Sequence, residues 1–228
     1  MVPAALAAAW PLLDVRDLSG TTPRLAAAVL AIVTRYGAAS GAAALGFYRQ
    51  HRLAEAVKSP LPQLRTAPAA SASTVVRMVD YATGPLYGPP NDAAVHEAQS
   101  VLNGSATNLV LDQSRRTVLD AVHRDPAAKG WARVTEPDAC SFCVMLALRA
   151  GVGFLYRKED TADFKAHMPH LKGGKAVGGI CRCHVEPVFT AFEPSHRMRE
   201  AQGLWESSTK GLSGSDARNA FRTALNNQ

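Results

Sequence analysis

A chain of 228 residues, 47% of them hydrophobic, has the apolar mass for a sizeable core, which excludes a protein disordered along its whole length. Its formal charge of +6 is modest and spread out, so composition permits contact with nucleic acid or another acidic surface without demanding it. Met1 to Leu13 lacks a basic leader and runs into Asp14, Arg16 and Asp17, and Arg35 interrupts the apolar run Leu25 to Phe47, so neither a secretory signal nor a membrane span of ~18 apolar residues is expected.

Pro3 to Leu13 predicts a short helix, and Ser19-Gly20-Thr21-Thr22-Pro23 predicts a turn that caps the next one, with proline in its first helical position. From Arg24 to about Val57 the residues Leu25, Val29, Ile32, Val33, Tyr36, Leu45 and Tyr48 recur at three- and four-residue steps, the period of an amphipathic helix. Gly37 and Gly41 within it either admit a close neighbour or mark a break near Gly41. Ser59 to Ser73, rich in proline and small residues, predicts a loop, followed by a short helix over Thr74 to Ala82 and a second loop from Gly84 to Asn91. Asp92 is expected to cap a helix that weakens at Asn103-Gly104, resumes, and ends near Asp125-Pro126.

The pattern then changes. Trp131 to Val134, Gly153 to Tyr156 and Cys183 to Phe189 read as strands, the last with Pro187 marking an edge or an end. Val144 to Ala150 reads as a short helix ended by Gly151, Lys158 to Gly179 as a charged loop, and Ser195 to Ser207 and Ser215 to Asn226 as closing helices. The expected class is α+β, predominantly α. A helical region, 1–126, precedes a small cysteine-knuckle α+β module, 127–192, and C-terminal helices, 193–228.

The chemistry concentrates in four cysteines, Cys140 with Cys143 and Cys181 with Cys183. In a chain without an expected export signal, two such pairs point to a metal before a disulfide. Two thiolates separated by two residues turn toward one ion through a tight knuckle, and closing the long intervening loop costs an entropy that metal bonds offset. The second pair is expected to need a kinked backbone before both its sulfurs face one ion, and His167, His170 and His184 are candidate substitutes. The competing readings are buried thiols and a disulfide. The cofactor expected is structural zinc, because a sulfur-rich set of four leaves no open position for water.

No Gly-x-Ser-x-Gly, His-Glu-x-x-His or glycine-rich phosphate loop is present. Ser141 with His184 or His170 as base is a weaker alternative, in the manner of a nucleophile and its base. His51, His96, His123 and His196 read as surface or helix-face residues, Trp131 and Trp205 as core anchors, and Arg182 as a solvated strand residue.

Several of these pieces resemble the phage Mu protein F-like (MuF-like) minor head proteins, in the branch found in phages of actinobacteria. The resemblance rests on Trp131 to Val134, Ala139-Cys140-Ser141-Phe142-Cys143-Val144-Met145-Leu146-Ala147, Tyr156, Cys181-Arg182-Cys183 and Val185 to Phe189. It extends to Trp10 to Asp17, Tyr36-Gly37, Phe47-Tyr48-Arg49 and Ala220-Phe221-Arg222. The family usually carries a histidine just before its second cysteine pair, where Val177 to Ile180 has none, and Leu171 to Gly179 is an insertion. The resemblance implies a minor capsid, head-morphogenesis component of the virion, made in the host cytoplasm and acting near the portal. Its implied partners are portal or capsid subunits and packaged DNA, with no membrane and no small-molecule substrate. Members of this branch are often labelled capsid maturation proteases.

Overall fold

The computed structural model describes residues 2–89, 91–137, 139–148, 155–159 and 183–227, and the backbone of 170–172 and 175–177. The protein is predominantly helical α+β. Its elements run α1 (Val2–Ala9), α2 (Leu18–Ala54), α3 (Ala72–Thr83), α4 (Asp92–Arg124), β1 (Gly130–Val134), α5 (Ser141–Leu148), β2 (Tyr156–Arg157), β3 (His170–Lys172), β4 (Lys175–Val177), β5 (His184–Val188), α6 (His196–Ser208) and α7 (Gly214–Asn226).

The chain forms two compact units that interleave along the sequence. One takes Met1–Leu45, Arg65–Thr117 and Met168–Ile180; the other takes Gly46–Leu64, Val118–His167 and Cys181–Gln228, as far as their residues are described.

In the first unit α1 to α4 close around Leu6, Leu25, Val29, Val33, Val75, Val79, Val101 and Leu102, the apolar positions at helical spacing. Helix α2 starts earlier than the sequence predicts. Asp17 Oδ1 accepts the Gly20 backbone N–H at 2.9 Å, a better cap than the Ser19 to Thr22 segment, which is itself helical, and Pro23 lies inside the helix. Asn91, not Asp92, caps α4, its Oδ1 accepting the Ala94 N–H at 2.8 Å.

Neither predicted weak point breaks a helix. At Gly37 an added Cβ would stand 2.3 Å from Gln113 Oε1, and at Gly41 it would stand 3.2 Å from Thr66. The two glycines therefore serve close approach. Gln113 uses that proximity, donating to the Ala67 carbonyl at 2.9 Å while Thr117 Oγ1 accepts the Ala67 N–H at 3.0 Å. The segment predicted as a loop before the second cysteine pair contains the β3–β4 hairpin, with His170 opposite Val177.

Helix α2 is long and apolar enough, by length and composition, to cross a bilayer, its best window having a mean hydropathy of 1.4. It carries Arg24, Arg35 and Arg49, and it buries Leu25, Val29, Val33 and Tyr48 completely or nearly so, as the core helix of a folded domain does.

The second unit is built on an antiparallel sheet in the order β2-β1-β5. Trp131 pairs with Pro187 on one side and Tyr156 on the other, so Pro187 sits on an edge strand as its missing N–H requires. Trp131, fully buried, stacks on Tyr156 with ring centroids 4.1 Å apart. Helices α5, α6 and α7 pack through Val144, Met145, Ala201 and Phe221, and Trp205 meets Phe221 edge-on at 5.1 Å. A buried polar cluster secures the end of α2 to that of α4. Asp125 Oδ2 accepts from Arg52 Nε at 2.8 Å and from the Tyr48 hydroxyl at 3.0 Å, while Arg52 Nη2 reaches the Ser59 and Pro60 carbonyls. Burial, then the Asp125 carboxylate, push the Tyr48 hydroxyl far above its usual range.

Candidate metal centre

Helix α5 begins inside the first cysteine pair, earlier than the sequence predicts. The Cys140 carbonyl accepts the Val144 N–H at 3.1 Å, which makes Cys140 the residue that opens the helix and puts Cys143 in its first turn. Cys140 is exposed and Cys143 is 1% exposed. Residues three apart at a helix start lie on neighbouring faces, yet only Cys143 of the pair is buried.

Around the start of β5 the side chains alternate between buried and exposed. Cys183 and Val185 are buried, whereas His184 between them is exposed. Residues two apart in an extended strand share a face, so strand geometry alone does not demand a kink at a Cys-x-Cys pair.

The structure brings Cys143 and Cys183 into one buried cluster with Ala139 against it, joining opposite ends of the cysteine window. Among the described residues no group of three His, Cys, Asp or Glu side chains is gathered. Cys181 and His167 lie outside the described residues, as does Arg182. His170 is described only as a backbone position of β3, in the first unit.

Sequence reasoning missed Arg133. It is 1% exposed, and its Nη1 donates to Cys183 Sγ at 3.0 Å, short for a bond to an atom as large as sulfur. Register explains the meeting: Arg133 is opposite Val185, two residues from Cys183 and on the same face, within a diagonal step that a long side chain spans. The available signal was a charged residue inside an otherwise apolar strand, Trp131-Ala132-Arg133-Val134. His51 lies on a face of α2, as expected, but that face is packed. Half-buried, it donates from Nε2 to the Pro187 carbonyl at 2.9 Å, stacks on Phe47 and lies tilted against Phe189, tying the end of α2 to β5.

A cavity of about 440 Å³ opens between α5, α6 and the end of α7, and Cys140 is the cysteine among its described lining. Cys140 and Ser141 line it together with Ser195, Arg197 and Glu200, and the described lining holds no histidine. His184 and His196 are exposed.

Thiolate sulfur is a soft donor of the kind that zinc takes, and a structural zinc site needs four ligands. Among the described residues the gathered donors are two buried sulfurs, Cys143 and Cys183, with the Arg133 guanidinium donating to one of them, and the exposed Cys140 does not join them in a group of three.

A protein-family model described as VG15 protein matches residues 1–207. No curated protein and no solved structure matches the chain. The family match takes in every element through β5 and nearly all of α6, cysteines included, and on that extent the chain belongs to the VG15 protein family, a phage-associated viral family.

Proposed function

We propose that this chain is a phage minor capsid protein of the Mu protein F-like kind, acting in head morphogenesis near the portal and carrying a structural zinc staple. The observation that supports it is the burial of Cys143 against Cys183, two sulfurs from distant parts of the cysteine window. In this reading Cys140, Cys143, Cys181 and Cys183 hold the ion, with His170 and His184 as alternative donors. Zinc would link α5 to β5 and contribute folding free energy.

Segment 1–126 would recognise portal or capsid subunits, 127–192 would be the stapled docking module, and 193–228 would close over it. The family membership supports a phage setting, and the resemblance in the cysteine region supports the head. The product would be made in the host cytoplasm and incorporated into the virion.

A second reading, capsid maturation protease, draws on Ser141 at the rim of the cavity beside Cys140. Complementation of a phage lacking this gene separates the two. Ser141→Ala should restore infectious heads, and Cys183→Ser should not. Unprocessed capsid precursor with Ser141→Ala, in a protein that still folds, would establish the protease instead. Duplex DNA binding that falls steeply with salt would favour an internal head protein on the packaged genome.

A further inference from the structure

We infer that the groove between α2 and α3 is a docking site for a helix of a partner protein, one that presents bulky apolar residues with a lysine or arginine beside them. The inference rests on the reading of segment 1–126 as the part that recognises portal or capsid subunits, and it deepens that reading by giving the contact a surface. It involves no metal.

The groove lies within the first unit and has a volume of about 390 Å³. One wall is the edge of α2 from Ser19 to Leu30. The other is Ala72, Val76 and Asp80, which recur at every fourth residue along α3, with Tyr87 beyond the end of that helix. The stretch from residue 19 to residue 30 covers about three turns, ~16 Å at the helical rise, so the groove has the length for a helix rather than for a single side chain. Ala26, Ala27 and Ala72 keep its walls low, which lets another backbone come close. Val76 and Tyr87 are 45% and 65% exposed. An enclosed small-molecule pocket would bury such residues, whereas an apolar helix face laid into the groove covers them.

The polar groups decide what that helix carries. Thr22 lines the groove at 6% exposure, and its buried hydroxyl has no hydrogen-bond partner among the described residues. A buried polar group left in this state is rare, and a polar atom on the occupant would supply what it lacks. Asp80 is the one charged residue in the described lining, and its carboxylate forms no ion pair among the described residues. A cationic side chain on the partner would meet an unopposed carboxylate, and an acidic helix would be repelled by it.

The test uses the full chain with the phage's own portal subunit and capsid subunit, each purified, and reads binding by titration calorimetry at low and high salt. Ala27→Trp fills the groove and Asp80→Lys reverses its charge, and both positions are exposed, so neither variant disturbs the core. Leu212→Ser, at an exposed apolar residue of the second unit, is the control. The expected result is that the parent binds one of the two subunits and that Ala27→Trp weakens this binding roughly tenfold or more. Asp80→Lys should weaken it about three- to tenfold, by less as salt rises, and Leu212→Ser should bind as the parent does. Parent affinity in both groove variants would overturn the docking site and leave the portal- or capsid-binding reading standing. A parent chain that binds neither subunit would overturn both. A parent chain that dimerises, with the dimer abolished by Ala27→Trp, would overturn the partner helix in favour of a second copy of this chain.

Discussion

Asp125 shows how one residue holds a fold together. Its Oδ2 accepts from both Arg52 and Tyr48, its Oδ1 takes the Ala127 N–H, and its carbonyl takes the Lys158 ammonium. The Arg52 and Asp125 side chains are 7% and 0% exposed, so removing either one leaves a buried charge alone. Asp125→Ala should lower the unfolding free energy by about 3 to 5 kcal/mol in urea titrations, and Tyr48→Phe by about 1 kcal/mol. The Tyr48 hydroxyl titrates far above its ordinary 10.0 in the fold, so its neutral form is favoured there. Its stabilisation is complete below the unfolded value and is lost as pH rises beyond it, because the unfolded chain then releases a proton that the fold retains. Urea midpoints should therefore decline between pH 10 and 11, and Tyr48→Phe should flatten that decline. None of this cluster was legible in the sequence. Asp125 read only as the end of a helix and Arg52 was not singled out, since partners 73 residues apart leave no mark on a local pattern.

At the scale of elements, the glycines of α2 divide by what stands near them. At Gly46 an added Cβ meets nothing within 4 Å, while at Gly37 it would displace the side chain of Gln113, which is buried and bonded to Ala67. Gly46→Ala should stabilise by up to about 1 kcal/mol through helix propensity, and Gly37→Ala should destabilise despite the same gain. Thermal unfolding of the two variants, shifted in opposite directions, checks this. Elements with a clean period were legible: β1, β5, α3, α6 and α7 stand within a few residues of their predicted bounds. The start of α2 was obscured by a serine-glycine-threonine stretch that resembles a turn, although Asp17 just before it was the stronger cap. The β3–β4 hairpin was missed because its strands are three residues each, too short to show alternation. At the site, Arg133 was not legible, because its meaning depends on which strand lies beside β1, and of the cysteines singled out by spacing the described structure gathers Cys143 and Cys183.

At the scale of the molecule, the division into two units was not legible, because α2 and α4 each contribute residues to both and no composition shift marks the boundary. What was legible is the class: long apolar-periodic helices first, then short strands around the cysteines, then two helices. Membership of a phage-associated family gives that architecture a setting, and the cysteine region gives the proposed function its physical core. If zinc staples α5 to β5, the second unit should lose cooperativity when the ion is removed, with a lower and broader thermal transition after chelation. The most direct measurement is metal content, by mass spectrometry of the full chain purified under reducing conditions. The account predicts about one equivalent of zinc per chain, with the cysteine thiols shielded from reagents until a chelator is added. Far less than one equivalent, with the thiols reacting freely in the folded protein, would contradict it.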